Sequence, residues 1–183
     1  MTAVRIAADA MELSLNESVI QSFCTELAVA RDQIGVIVVD HGSRRSASNE
    51  LLLEIVDMYR QQSELKFVEP AHMELAEPSI ETAFAHLVQG GAAAVIVFPY
   101  FLLPGRHWTE DIPTLVRKAA IRFSNIPFLV TAPLGLHPLL AEIINQRIDH
   151  CMAHSLGQRE ACDICHGTEQ CGLERNSSNT SKR

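Results

Sequence analysis

The sequence lacks long apolar runs, an excess of basic residues and a nucleotide-binding loop. Its longest apolar stretches, 34–39 and 92–98, are of strand length, whereas a membrane span needs roughly 18–20 apolar residues. The 183 residues carry a net charge of −7, which argues against a nucleic-acid backbone as partner. No Gly-x-x-x-x-Gly-Lys-[Ser/Thr] motif is present, so any reaction should need no ATP. We therefore expect neither a membrane nor a nucleic-acid partner.

The N-terminal segment, residues 1–33, has little of what a targeting sequence needs. It contains five acidic side chains against two arginines, whereas transit peptides are poor in acids and rich in arginine and serine. It also lacks the apolar centre of a signal peptide, so no transit or signal sequence is evident. Helical spacing of apolar residues at 19, 20, 23 and 27 predicts an amphipathic helix over about 16–30. We expect residues 1–33 to form an N-terminal helical extension.

From residue 34 onward, short apolar runs alternate with segments of helical periodicity. Pro70 marks the second apolar run as an irregular or edge strand, and Pro78 suits the first turn of the next helix. The alternation predicts an α/β domain over 34–155, flavodoxin-like, with a parallel four-stranded sheet and helices on both faces. The predicted strands are 34–39, 66–73, 95–98 and 128–131, and the predicted helices are about 48–62, 78–90, 109–122 and 139–154. The inward face of the last helix is predicted from Leu140, Ile143, Ile144 and Ile148.

Side chains that can bind a metal or an anion, or transfer a proton, follow the predicted strands rather than the helices. They lie in segments 40–45, 72–74, 104–108 and 131–135, one after each strand. Ligands of open parallel sheets bind beyond the carboxyl ends of the strands, so these segments predict one site. Its histidines and glutamate can bind a divalent metal or accept protons near neutral pH. Apolar residues at 99–103 and Trp108 can face a flat ring. For Trp108, a place in the apolar core is an equally good hypothesis.

His41 and His107 are the strongest candidates within this predicted site. Each stands in a glycine-flanked loop beside an arginine, which favours metal binding or proton transfer over a structural role. Glu74 can join them, or it can cap the helix that begins near Pro78. Candidate ligands for the carboxylates of an anionic substrate are Ser43, Arg44, Arg45 and Arg106. The histidines interpreted as structural are His86, His137, His150 and His154.

Three ordered motifs resemble those of the sirohydrochlorin chelatases of the CbiX type. They are Val-Asp-His-Gly-Ser-Arg at 39–44, His-Met-Glu-Leu-Ala-Glu-Pro-Ser-Ile at 72–80 and Pro-Tyr-Phe-Leu-Leu-Pro-Gly-Arg-His-Trp at 99–108. The resemblance covers about 34–155 and implies a class II chelatase fold, a homodimer and metal insertion into sirohydrochlorin. It also implies that His41 and His107 serve metal binding and proton removal, with Glu74 as their acidic partner.

The site residues are compatible with three functional hypotheses. The chain could insert Fe(II) to form siroheme, insert cobalt into the same macrocycle, or carry tetrapyrrole or iron without turnover. First-row divalent metals bind similar ligands, so the site residues do not choose between iron and cobalt. The C-terminal part of the chain resembles the plant members of the family, which insert iron, and this resemblance favours the first reading.

Four cysteines fall within 21 residues near the C-terminus, while Cys24 stands alone. A late cluster suggests a metal in a reducing compartment rather than disulfides. Four thiolates suit either a zinc site or an iron–sulfur cluster, and Cys151 could instead be a buried thiol. The plant resemblance implies a [2Fe–2S] cluster in a Cys-rich segment over 156–173 and a location in the chloroplast stroma. The implied cluster ligands are Cys151, Cys162, Cys165 and Cys171. The polar tail, 174–183, is predicted to be disordered.

Overall fold

The computed structural model describes residues 15–168, and every structural statement below concerns that range. Cys171, the tail 174–183 and the first fourteen residues lie outside it, so the predictions made for them stay predictions. The predicted order of strands and helices is confirmed, with ends shifted by a few residues. The elements are α1 (Glu17–Leu27), β1 (Ile34–Asp40), α2 (Ser46–Ser63), β2 (Phe67–His72), α3 (Ile80–Gly90), β3 (Ala94–Pro99), α4 (Ile112–Arg122), β4 (Phe128–Val130) and α5 (Pro138–Ser155).

The four strands form one parallel sheet in the order β2-β1-β3-β4. β1 lies between β2 and β3, and its β-branched run is buried on both faces, as expected for a parallel sheet. β2 is an edge strand and contains Pro70, which confirms the edge position predicted from that proline. On the same strand, the carbonyl of Val68 accepts a hydrogen bond from the Arg60 guanidinium at 2.5 Å.

Helices cover both faces of the sheet, as predicted, and each face has its own apolar core. On one face, Ile37 and Val39 pack with side chains of α3 and α4, including Phe84. On the other, Val36 and Val38 pack with side chains of α1 and α2. Successive residues of β1 point to opposite faces because the side-chain period of a strand is two. Burying each of these large side chains contributes about 1.5–3 kcal/mol, which fixes the strand ends that carry the site.

The start of α3 differs from the prediction. Ser79 is its N-cap, with Oγ accepting from the Thr82 backbone N–H at 3.3 Å, and the helix begins at Ile80. Pro78 therefore precedes the helix rather than occupying its first turn. The reading of Glu74 as the cap is also wrong, because a serine closer to the helix fills that position with better geometry. The Glu74 carboxylate does not cap α3, and it lies in the loop at the end of β2.

The expected inward packing of α5 is wrong. The helix has no buried residue, and Ile143, Ile144 and Ile148 are 52%, 57% and 51% exposed. Within residues 15–168 the chain divides into two compact units, the first ending at Gly135 and the second beginning at Leu136, and α5 belongs to the second. Periodicity located the apolar face correctly, but it carries no information about what covers that face. Within 15–168, no helix is long and apolar enough to cross a membrane.

Candidate functional site

The candidate site residues that follow β1, β2 and β3 lie together at the carboxyl ends of these strands. β1 is paired with both other strands, so the loops that follow the three strands meet there. Two backbone hydrogen bonds extend the β1–β2 pairing into the loops. The Met73 N–H donates to the Asp40 carbonyl at 2.8 Å, and the Glu74 N–H donates to the His41 carbonyl at 3.1 Å. These bonds place the side chains of residues 41 and 74 opposite one another.

The structure brings the three predicted catalytic residues together. His41 Nε2 lies 2.8 Å from Glu74 Oε1, and the ring centroids of His41 and His107 are 5.3 Å apart. The two imidazoles meet edge to face at 66°, and the Phe101 ring lies 6.1 Å from that of His107. The side chains of His41, Glu74 and His107 are 43%, 52% and 45% exposed. The group is therefore open to a large ligand while resting on a partly apolar wall.

His41 contacts both the main chain of its own loop and the Glu74 carboxylate. Nδ1 of His41 lies 3.1 Å from the Gly42 carbonyl oxygen, and Nε2 lies 2.8 Å from Glu74 Oε1. A metal ion that binds at Nε2 and Oε1 must replace the direct contact between these two atoms.

His107 is oriented by Asp111, a residue that the sequence analysis missed. The segment His107–Asp111 forms one π-type turn, in which the Ile112 N–H donates to the His107 carbonyl. The Asp111 carboxylate lies 2.8 Å from His107 Nδ1, so Nδ1 donates and Nε2 keeps its lone pair. The signal was available, since histidine and aspartate four residues apart lie on the same face of a helix. Single turns of this kind are frequent at functional sites.

Gly42 is required by the close approach of the two loops. Its φ is +83°, a left-handed conformation that favours glycine. A Cβ at this position would lie 1.9 Å from the Glu74 carbonyl oxygen and 3.1 Å from the His72 Cβ. The loop after β1 can therefore lie directly against the loop after β2 only because residue 42 has no side chain.

Ser43, predicted to bind substrate, is held firmly by Asn49. The Ser43 N–H donates to Asn49 Oδ1 and the Asn49 amide donates to the Ser43 carbonyl, both at 2.9 Å. The Ser43 hydroxyl accepts from the Arg45 backbone N–H at 3.0 Å, which shapes the start of α2. Asn49 was missed because its position six residues later, inside a helix, carries no recognisable pattern. The serine hydroxyl keeps its donor hydrogen for a ligand.

The three predicted arginines differ in their availability. Arg44 and Arg45 are exposed, and within residues 15–168 neither forms an ion pair. Arg106 Nε donates to Glu110 Oε2 at 3.1 Å, one helical turn away, with both side chains mostly exposed. Such surface pairs contribute about 0–1 kcal/mol, so a ligand carboxylate can replace Glu110 at little cost.

Apolar side chains extend from the site. Leu102 and Leu103 are 58% and 62% exposed, an unusual state for two neighbouring leucines beside a cluster of histidines. Trp108 is partly buried, and its Nε1–H donates to the Thr131 carbonyl at 2.8 Å. The indole therefore links the loop after β3 to the end of β4. Trp108 thus has a structural contact in addition to its predicted contact with a flat ring.

No ready-made metal centre exists within residues 15–168: no group of three or more histidine, cysteine or acidic side chains is arranged to hold an ion. At the candidate site, His41 Nε2 faces Glu74 and His107 Nδ1 faces Asp111.

The cysteine segment follows α5 in the second unit. Cys162 and Cys165 are buried in one turn, closed by the Cys165 N–H donating to the Cys162 carbonyl at 3.1 Å. Backbone N–H groups of Cys165 and Ile164 also lower the pKa of the Cys162 thiol. A thiol that ionises readily is suited to bind metal. Cys151, on α5, is half-buried, and the fourth predicted ligand lies outside the described residues.

The histidines interpreted as structural make local contacts. Nδ1 of His137 accepts from the Leu139 N–H at 3.2 Å and caps α5. In the second unit, ring nitrogens of His150 and His154 lie 3.0 Å and 2.9 Å from backbone carbonyls of residues 160 and 159. None of these three rings has an acidic side-chain partner within the described range, in contrast to His41 and His107.

Comparison with known proteins gives consistent matches. The sequence profile of the family described as CbiX matches residues 35–151. The chain is 53% identical over 146 residues to the sirohydrochlorin ferrochelatase, chloroplastic, of Arabidopsis thaliana, covering 80% of this chain and 65% of that relative. Among solved structures, it is similar to the sirohydrochlorin chelatase SirB from Bacillus subtilis subspecies spizizenii in complex with cobalt. That match has a TM-score of 0.60 and 28% identity and covers 63% of this chain and 50% of that chain. SirB from Bacillus subtilis with Fe3+ matches with a TM-score of 0.57 and 26% identity over 66% of this chain and 46% of that one.

Proposed function

Because the chain belongs to the CbiX family, we propose that it inserts Fe(II) into sirohydrochlorin to form siroheme, without ATP. The observation that carries this proposal is the grouping of His41, Glu74 and His107 at the carboxyl edge of the sheet. The Arabidopsis relative is named as an iron chelatase for this macrocycle. The chain spans 65% of that relative's length. The activity in the relative's name therefore supports the proposal, and the activity of this chain has to be measured directly.

Metal insertion needs an ion that can lose its water and a base for the protons that it replaces. Each Fe(II) displaces two protons from the pyrrole nitrogens of the macrocycle. In the proposed mechanism, His41 and Glu74 bind Fe(II) in place of their mutual contact. His107, which is oriented by Asp111, accepts the two pyrrole protons one after the other and returns each to solvent. A histidine base works near neutral pH without a large change of its pKa.

The substrate carries many peripheral carboxylates, and the site offers matching donors. Arg44 and Arg45 lie at the start of α2 without acidic partners in the described range, and Arg106 can exchange Glu110 for a substrate carboxylate. Ser43 supplies a hydroxyl at the same edge. The exposed leucines at 102 and 103 provide apolar area for one face of the ring. Together these side chains would hold a flat, multiply charged ligand over the histidines.

The decisive experiment follows the anaerobic conversion of sirohydrochlorin and Fe(II) to the siroheme spectrum, corrected for spontaneous insertion. We expect His107→Ala to abolish catalysed insertion and to leave the far-UV circular dichroism unchanged. His86→Ala is the matched control, because His86 is exposed, lies outside the candidate site and has its Nδ1 3.9 Å from a Glu69 carboxylate oxygen. Full turnover by His107→Ala would refute the proposed role, and stoichiometric binding without turnover by the wild type would favour the carrier reading.

Cobalt insertion is the second candidate function. SirB, a structural relative, has been solved with cobalt as well as with Fe3+. Imidazole and carboxylate ligands bind both metals, so the site itself does not exclude cobalt. The same assay run with Co(II) and Fe(II) decides between them: a higher kcat/KM for Co(II) would reverse the assignment made here.

We propose that Cys151, Cys162, Cys165 and Cys171 hold a [2Fe–2S] cluster, whose chemistry would be one-electron exchange. Two observations support the fit of this donor set: two cysteines share one turn, and the pKa of Cys162 is lowered. Zinc remains the alternative for four thiolates. Purified protein should show visible cluster absorbance that is lost on combined replacement of Cys162 and Cys165 by serine. A colourless protein containing zinc by metal analysis would decide for zinc.

We also propose a homodimer in the chloroplast stroma. The chain matches half the length of the SirB chain, so two copies would supply the equivalent of one SirB. The exposed apolar side chains of α5 are available for contact. Sedimentation equilibrium should give twice the mass of one chain, and a monomer at micromolar concentration would refute the dimer. The printed name of the Arabidopsis relative supports the chloroplast, which fractionation of isolated organelles would test.

A further inference from the structure

His72 is a buried polar side chain that the proposed mechanism does not use. Its residue is 1% exposed, and apart from Ser63 it is the only buried polar residue within 15–168. Its Nδ1 lies 2.6 Å from Asp40 Oδ1, whose side chain is 24% exposed. Burying an imidazole costs stability unless it is hydrogen-bonded, so an apolar residue would serve better if the position only filled space. The pair therefore calls for a role beyond packing.

The position of the pair defines that role. Asp40 immediately precedes His41, and its Oδ1 also accepts the Gly42 N–H at 2.9 Å. The same Oδ1 atom thus binds the main-chain N–H of Gly42, which directly follows His41, and the imidazole of His72. His72 is the last residue of β2, which pairs in parallel with β1, and it lies two residues before Glu74.

The backbone of the second loop is fixed from the same point. The His72 N–H donates to the Pro78 carbonyl at 2.7 Å, which closes the loop that contains Glu74. The Asp40 carbonyl accepts the Met73 N–H at 2.8 Å. Side-chain and main-chain bonds from one strand end therefore converge on the loops that carry both halves of the His41–Glu74 pair.

We propose that Asp40 and His72 are positioning residues that set the distance and orientation between His41 and Glu74. The inference deepens the proposed function, and it rests on that function only for the identity of the metal. His72 is not itself a metal ligand, because its ring is buried and committed to Asp40. The residues act through the main chain: His72 orients Asp40, Asp40 fixes the Gly42 N–H, and the loop then presents His41 to Glu74.

The test compares two replacements of similar size. His72→Leu fills the cavity but cannot donate to Asp40, whereas the amide of His72→Asn can donate from the position of Nδ1. Binding of Co(II), used as an air-stable probe, is titrated by its visible absorbance with His72 intact and in both variants, each carrying Cys162→Ser and Cys165→Ser so that the cysteine segment does not bind the probe. Loss of a residue that orients a metal ligand lowers metal affinity about 10–100-fold, so His72→Leu should raise the Kd for Co(II) at least about 10-fold. His72→Asn should restore most of the affinity.

Several outcomes decide the proposal. An unchanged Kd for Co(II) in folded His72→Leu overturns it. Equal loss in His72→Leu and His72→Asn also overturns it, because the hydrogen bond would then not be the cause. If His72→Leu does not fold, Asp40→Leu, which can accept neither hydrogen bond, replaces it, and an unaltered Kd in that folded variant overturns the proposal. The measurement is independent of turnover, so a wild type that binds Co(II) but forms no siroheme would refute the proposed function and leave this inference standing.

Discussion

Replacing Gly42 by alanine should separate the geometry of the site from the stability of the fold. The added Cβ would lie 1.9 Å from the Glu74 carbonyl oxygen, whereas ordinary contacts begin at 3.4 Å. The loop after β2 must therefore retreat by more than about 1 Å. A misplacement of about 1 Å can lower the rate of a reaction on the order of 100-fold, so we expect a loss of that size in kcat/KM.

The cost in stability follows from two contributions. A residue other than glycine in the left-handed region costs about 1–2 kcal/mol. Crowding of a packed contact adds about 1–3 kcal/mol, so the free energy of unfolding should fall by about 2–5 kcal/mol. Because a domain is stable by about 5–15 kcal/mol, most of the variant should remain folded at 25 °C. Its activity can then be measured on folded protein.

Gly91→Ala is the matched control for the strained backbone. Gly91 also has a positive φ, of +108°, but a Cβ there would meet only the Phe67 ring at 3.9 Å. This variant should lose about 1–2 kcal/mol in urea denaturation and keep its rate of siroheme formation. Wild-type kcat/KM in Gly42→Ala, or equal effects of both variants on activity, would refute the account of the loop contact.

Three further predictions concern other parts of the molecule. Asp111→Asn removes the charge that orients His107, so kcat for insertion should fall about 10-fold or more at unchanged circular dichroism; an unaltered rate would contradict the assignment. The pKa of Glu77 is lowered by the Ser79 backbone N–H, so this carboxylate stabilises the fold above its unfolded pKa of about 4.3 and loses that effect as pH falls. The difference in Tm between wild type and Glu77→Gln should therefore shrink from pH 7 to about pH 3, and a constant difference would refute the linkage. In metal-free protein, alkylation of Cys162 by iodoacetamide, followed by mass spectrometry, should have a lower pH midpoint than alkylation of the same thiol in urea-denatured protein; an equal or higher midpoint would count against the lowered pKa.

The fold was predictable from sequence because its signals are local. The β-branched run of β1 marks a strand buried on both faces, and the alternation of such runs with helical periodicity specifies a parallel sheet. Pro70 predicted an irregular or edge strand, and the structure places β2 at the edge. The packing of α5 was not predictable, since periodicity identifies an apolar face without identifying the surface that covers it.

The site was predictable to the extent that it depends on strand ends. His41, Glu74 and His107 follow three different strands, and the rule that ligands bind at this edge was enough to group them. Asp111 was missed, and His72 was included in the segment 72–74 but was given no role. Asp111 acts through a spacing of four residues from His107, which a reading by strand ends does not examine. The role of His72 depends on burial, a property that its sequence neighbours do not reveal.

The proline and the capped carbonyl on β2 limit how this chain can associate. The outer edge of a sheet is open to pairing with another strand, which needs a continuous row of main-chain donors and acceptors. At this edge Pro70 supplies no N–H, and the carbonyl of Val68 already receives the Arg60 guanidinium. A neighbouring molecule would find an interrupted row of partners there. This edge is thereby protected against sheet extension and strand-by-strand aggregation, and two copies would not associate by pairing their β2 strands.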